Sequence, residues 1–148
     1  QLGNTVEKLS SDFDKERFVW IRDWLNVDRI ASEINNADIC LGIFGGEGKA
    51  ARVLPFKIYM YLAAGKAIVT QSSFSVPADT PSPPMITVSV TTPQAVAEAI
   101  ILLAEDISLR KTISQKAKEY YITHLGPSCL ATSWQKLLIK LSTENLSS

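Results

Sequence analysis

The order of elements in this sequence predicts an α/β fold, a parallel sheet with flanking helices and right-handed crossovers. Two observations carry that prediction. The stretch Ala37 to Thr70 (ADICLGIFGGEGKAARVLPFKIYMYLAAGKAIVT) reads as strand, glycine loop, helix, strand. After a further strand at Met85 to Val90, the chain continues as three helical segments with apolar residues at helical spacing.

Each element has its own local reason. Asn4 to Ser10 reads as a short amphipathic helix, with Asn4 as cap and Val6 and Leu9 on one side. Arg17 to Arg22 (RFVWIR) is rich in β-branched and aromatic residues and reads as a strand, and residues 23–26 turn the chain. Asn26 or Asp28 caps a helix in which Ile30 and Ile34 lie one turn apart, ending near Asn35 and Asn36. Ile39 to Phe44 is a short apolar run between Asp38 and Gly45-Gly46, the pattern of a strand buried on both faces. Pro55 fits the first position of the next helix, Gly65 ends it, and Lys66 to Thr70 supplies the following strand.

Beyond Thr70 the run QSSFSVPADTPSPP is rich in Ser and Pro, so it reads as a surface loop. Thr92 caps the next helix with Pro93 in its first position, and Val96, Ile100 and Leu103 form its stripe up to a break at Glu105-Asp106. Ser108 to Thr123 is a second helix, with Leu109, Ile113, Ala117 and Tyr121 at helical spacing, and Gly126-Pro127 interrupts it. A third, Ser128 to Leu141, has Leu130, Trp134, Leu137, Leu138 and Leu141 available to bury. Residues 1–141 are therefore read as one domain, and residues 142–148 as a polar tail that frays.

Composition narrows the function classes. At 148 residues and 46% hydrophobic content the chain is long enough for a core. Its 15 basic and 15 acidic residues cancel, which gives no general attraction to nucleic acid or anionic membrane. Cys40 and Cys129 have neither metal-ligand spacing nor a disulfide framework, and both read as small buried or half-buried residues. The most apolar helical segment, Ala95 to Ala104, is too short to cross a bilayer, and no transmembrane segment is expected. The first residues lack a signal-peptide pattern, and Gln1 is no initiator methionine, so a fragment of a cytoplasmic protein is expected.

The chemistry concentrates after the Ile39 strand. Gly45, Gly46 and Gly48 permit positive φ and close backbone approach, and Lys49, Arg52 and Lys57 follow. The free N–H groups of Phe56 and Lys57, at the positive end of a helix dipole, join these cations in a local anion site at the carboxyl end of a strand. Glu47 reads as a solvent-facing turn residue. The single histidine, His124, is explained by the dipole at a helix end and is not assigned to catalysis.

Four segments together, ADICLGIFG, KAARVLPFK, YLAAGKAIVT and TPQAVAEAIILLAEDISLRKTI, resemble the donor-binding C-terminal domain of GT-B glycosyltransferases. Glycosyltransferase family 4 (glycosyl transferases group 1) is the family they look most like, over residues 17–141. The resemblance implies a Rossmann-like parallel sheet with flanking helices, the C-terminal half of a GT-B fold, truncated at its N-terminus. It also implies a nucleotide-diphosphate sugar as donor, and a glycan or lipid acceptor bound by an N-terminal domain that would precede Gln1, with peripheral membrane association through that part. The first phosphate-gripping strand would precede Gln1 too, so the 148-residue chain alone is expected to be inactive.

In that family the helix after the glycine loop presents its amino end to the donor phosphates, which falls on Phe56 and Lys57. The glutamate that receives the donor ribose hydroxyls one turn later is Met60 here, and the acidic position eight residues before it is Arg52. Losing a charge-assisted hydrogen bond costs ~1.5–3 kcal/mol, so Met60 weakens ribose recognition. The proline after Gly-Lys is Ala67. Trp20 is expected in the core, and Trp24 or Leu25 beside the nucleotide base. The substrate-binding set is Gly45, Gly46, Lys49, Arg52, Phe56, Lys57 and Met60, with no metal and no cofactor expected. Two other readings stand beside this one. A degenerate glycosyltransferase domain kept as a binding or scaffolding module is favoured by Met60. A receiver-like regulatory domain ranks last, because Asp38 precedes its strand and the following loop is basic.

Overall fold

The computed structural model describes residues 18–45, 48, 51–77 and 80–145. The helix expected at Asn4 to Ser10 lies outside the described residues, as do Gly46, Glu47 and Lys49. The chain divides into two units, Gln1–Ile30 and Ala31–Ser148.

In the first unit the expected strand at Arg17 to Arg22 does not form over its described part. Phe18, Val19 and Ile21 are exposed, and the Arg22 guanidinium lies over the Trp20 ring at 4.9 Å. β-Branched and aromatic residues become a strand only when a ladder takes up their backbone groups, and composition alone does not supply one. Trp20 is half-buried, not a core residue, and Trp24 is fully exposed. Helix α1 (Val27–Asn36) starts at Asn26 as expected, with the Arg29 N–H donating to Asn26 Oδ1 at 2.8 Å.

The second unit holds a three-stranded parallel sheet, β1 (Ile39–Leu41), β2 (Ala67–Gln71) and β3 (Ile86–Val88), in the order β1-β2-β3. The register pairs Cys40 with Ile68 and Thr70 with Thr87. Every residue of the central strand is buried. Its neighbours are shorter than the apolar runs suggested; among the described residues β1 has a ladder partner on one side only, and Leu41 is 42% exposed. The expectation that β1 is covered on both faces therefore fails at Leu41.

Three helices around the sheet build two cores. Helix α2 (Phe56–Ala63) connects β1 to β2, helix α3 (Pro93–Glu105) follows β3, and helix α4 (Ile107–Tyr120) follows α3. Ile68 packs with Leu54, Ile58, Leu62, Ala117 and Tyr120 on one face. Ala67 and Val69, alternating with it, pack with Val88, Ala99, Leu103 and Ile113 on the other. Burying a Leu or Ile side chain contributes about 1.5–3 kcal/mol, so Ile58, Leu62, Ile68 and Leu103 anchor the fold.

The helix starts follow sequence signals to within a residue or two, whereas the last two helices end away from the expected positions, at Tyr120 in place of Thr123 and at Asn145 in place of Leu141. Pro55 is the N-cap of α2, one position before the expected one, and has φ −62°. Gly65 takes φ 65° and closes α2 with paired bonds, Gly65 N–H to Leu62 O and Lys66 N–H to Tyr61 O, both 3.0 Å. Thr92 caps α3 through the Ala95 N–H at 3.3 Å, and Asp106 caps α4 through the Leu109 N–H at 2.8 Å. Helix α4 stops at Tyr120 and a π-helical turn, Tyr121–Leu125, carries the chain to Gly126. Tyr120 takes the buried place expected for Tyr121 and donates its hydroxyl to Pro81 O at 2.6 Å, holding the Ser/Pro-rich loop.

The last helix, α5 (Pro127–Asn145), runs past the expected end at Leu141, and Ser142 is helical, with its hydroxyl bonding back to Leu138 O at 3.0 Å. Leu130, Trp134, Leu137, Leu138 and Leu141 are all exposed. The periodicity of α5 is correct for a packed helix, but among the described residues its apolar face is not buried.

Gly42 sits where a Cβ would overlap the Thr70 side chain. We expect Gly42→Ala to lower unfolding free energy in a denaturant titration by about 1–3 kcal/mol. Adding Thr70→Ala should recover part of that loss, and an unchanged double mutant would show that Thr70 is not the obstacle.

Candidate functional site

The carboxyl edge of the sheet is where the site is built, because all three parallel strands end there in loops. Beyond β1 the chain continues to bond to β2, with the Gly42 N–H donating to Val69 O at 2.8 Å and the Gln71 N–H to Ile43 O at 3.0 Å. The buried Thr70 hydroxyl accepts from the Ile43 N–H at 3.2 Å and donates to Ile43 O at 3.3 Å. Once Ile43 is held on both sides the glycine loop departs. Gly45 (φ 76°) and Gly48 (φ 73°) occupy the left-handed region, which a Cβ strains.

A cleft of about 520 Å³ lies along this edge, lined by Gly45, Gly48 and Ala51 from the first loop, by Gln71, Ser72 and Ser73 after β2, and by Ser89 and Thr91 after β3. Ligand sites of open parallel sheets form at such carboxyl ends. Gln71 is buried, and its Nε2 donates to Ser73 O at 2.8 Å, so the second wall is shaped by a side chain inside the sheet.

Among the expected residues, Gly45 lines the cleft and Arg52, Phe56, Lys57 and Met60 are not among its walls. Arg52 is exposed, and its Nε donates to Gly48 O at 3.2 Å, which ties the loop to the start of α2. Phe56 is 76% exposed. Lys57 and Met60 are half-buried. Burial without an opposing charge pushes the Lys57 ammonium below the ordinary lysine range.

The amino end of α2 opens on the carboxyl side of the sheet, since α2 runs back to the start of β2. Among the described residues no side chain caps it. The Ile58 N–H bonds to Pro55 O at 2.9 Å, so helix geometry leaves the amides of Phe56 and Lys57 as the donors without an intrahelical acceptor. Among the described residues no group of three or more His, Cys, Asp or Glu is placed to hold a metal ion.

The serine and threonine wall is the part sequence reasoning missed. Ser72, Ser73 and Thr91 look like ordinary loop residues, and Ser89 falls inside the strand expected at Met85 to Val90, which ends at Val88. Their signal is positional: each lies within a few residues of the end of a predicted strand. His124 is remote from this chemistry in sequence, and its ring packs on Tyr120 with centroids 4.9 Å apart. Among the described residues no helix is long and apolar enough to cross a membrane.

No family model matches this sequence, and no curated protein matches it. The fold matches a solved structure of a sucrose-phosphate synthase from Thermosynechococcus elongatus with TM-score 0.70 at 14% identity. The match covers 95% of this chain and 34% of the synthase chain, so this chain spans about a third of that protein. Likeness at that identity carries the fold: a parallel sheet flanked by helices, matching the Rossmann-like C-terminal half of a GT-B glycosyltransferase.

Proposed function

We propose that this chain is the donor-binding part of a glycosyltransferase, holding a nucleotide-diphosphate sugar for transfer to a glycan, lipid or other acceptor bound elsewhere. The observation that carries this reading is the cleft along the carboxyl edge of the sheet, bordered by two left-handed glycines, on the same side as the uncapped amino end of α2. The shared fold with a sucrose-phosphate synthase supports it.

In this reading the diphosphate lies against the glycine loop at Gly45 and Gly46, and the amides of Phe56 and Lys57 face it. Arg52, Lys57 and Lys49 supply positive charge. Transfer breaks the bond between the sugar and the diphosphate, and negative charge grows on the departing phosphate oxygens. Fixed donors aimed at that charge lower the barrier without reorganising. The hydroxyl-bearing wall, Ser72, Ser73, Ser89 and Thr91, gives a sugar hydrogen-bonding partners in the same cleft.

Met60 favours the second reading, a degenerate domain that binds without catalysing. Its thioether cannot accept from ribose hydroxyls with carboxylate strength.

Calorimetry with UDP and GDP tests the donor site. Lys57→Ala and Arg52→Ala should each weaken binding by about tenfold. Absence of binding by the full-length parent protein would rule the reading out. Met60→Glu separates the two readings: a large gain in nucleotide affinity supports decay, and no change indicates another ribose partner.

The pH dependence has a definite sign. Burial disfavours the charged form of Lys57, whereas a bound diphosphate favours it, so binding draws a proton onto Lys57 as pH rises. Affinity should therefore fall on the alkaline side, beginning below the ordinary lysine range. Lys57→Arg should move that fall to higher pH. A flat profile in the parent would remove Lys57 from the site.

A further inference from the structure

The amino edge of the same sheet holds a second pocket, of about 250 Å³, formed where Ala37 and Asp38 lead into β1 and where Gly65 and Lys66 lead into β2. Helix α4 completes it with Arg110, Lys111 and Ser114. Three cationic residues and one carboxylate line it, a local positive excess in a chain whose charges balance as a whole. We propose that this pocket binds a small phosphate-bearing anion, independently of the cleft at the opposite edge.

Preorganisation is the main argument. The Arg110 side chain is only 20% exposed, and its Nη1 donates to Leu103 O at 2.8 Å and to Ala104 O at 3.1 Å, so its direction is set before any ligand arrives. Lys66 Nζ is likewise held by Asn35 O at 2.8 Å and keeps two further N–H donors. Fixed donors lose little conformational freedom on binding. Asp38 is a weak competitor, since it is 80% exposed and lies 3.8 Å from Arg110 Nη2.

Two groups on the same wall are unengaged. Among the described residues, neither Lys111 Nζ nor the Ser114 hydroxyl donates to a partner, although both residues line the pocket. Lys111 and Ser114 lie three residues apart on α4, which places them on one helix face. An ammonium, a hydroxyl and a fixed guanidinium around one pocket match the several acceptor oxygens of a phosphate group. Charge neutralisation of helix ends explains Lys66 and Arg110, and it leaves Lys111 without a role.

The test is an amide-shift titration of the 148-residue chain by NMR, with inorganic phosphate, pyrophosphate and glycerol phosphate as probes. Saturable shifts are expected at Gly65, Lys66, Lys111 and Ser114. Tighter binding of glycerol phosphate than of inorganic phosphate assigns the pocket to a phosphate monoester, and the reverse order to the free ion. Lys111→Ala, an exposed position, should weaken binding by about tenfold with the thermal midpoint unchanged, and Lys111→Arg should restore it. The proposal fails if equal shifts appear with sodium chloride at matched ionic strength, if Lys111→Ala changes nothing, or if the only shifts are at Gly45 and Gly48. Because the variant lies at the amino edge, its failure leaves the donor-site reading standing.

Discussion

The contact between Thr70 and the segment Gly42-Ile43 organises the functional edge of this protein. One buried hydroxyl both accepts from and donates to the Ile43 backbone, and the space for it exists because position 42 has no Cβ. Left without a partner, buried backbone groups of this kind cost about 1–3 kcal/mol each, so the contact decides where β1 releases the chain. Everything on the carboxyl edge depends on that release point: the two left-handed glycines, the cleft between the loops, and the amino end of α2.

At the other edge the constraint is electrostatic. Helices that cross back over a parallel sheet bring their carboxyl ends together, and each end concentrates unpaired carbonyls and partial negative charge. Here each is met by a cation from another element: Lys66 reaches the last turn of α1, Lys118 the Ala63 carbonyl at the end of α2, and Arg110 the last turn of α3. The two edges of one small sheet thus differ in kind. One is made of glycine, hydroxyls and uncapped amides, and the other of side-chain cations locked onto helix ends.

Where a residue's local chemistry was sufficient to decide its role, the sequence reading and the structure agree. Asn26, Thr92 and Gly65 are caps because their side-chain oxygens, or the lack of a Cβ, solve a local backbone problem. Disagreement appears where the outcome depends on a distant partner. The RFVWIR segment has strand composition and no ladder over its described residues, and the apolar stripe of α5 has helical spacing and no cover. The candidate site divides in the same way. Gly45 is legible because glycine after a strand is local chemistry, whereas the wall of Ser72, Ser73, Ser89 and Thr91 forms only when β2 and β3 lie side by side.

By itself the sequence determined the α/β class, the helix starts to within a residue or two, and the glycine loop with its following cations. Each of these follows from interactions within about five residues, which the order of side chains dictates directly. Only the tertiary structure decided that Gly42 must yield to Thr70, that Arg52 ties back to Gly48 while Lys57 is half-buried, and that serines from two loops share one cleft. Those facts depend on register and on the packing of helices against two faces of a sheet, which bring together residues that spacing along the chain does not relate.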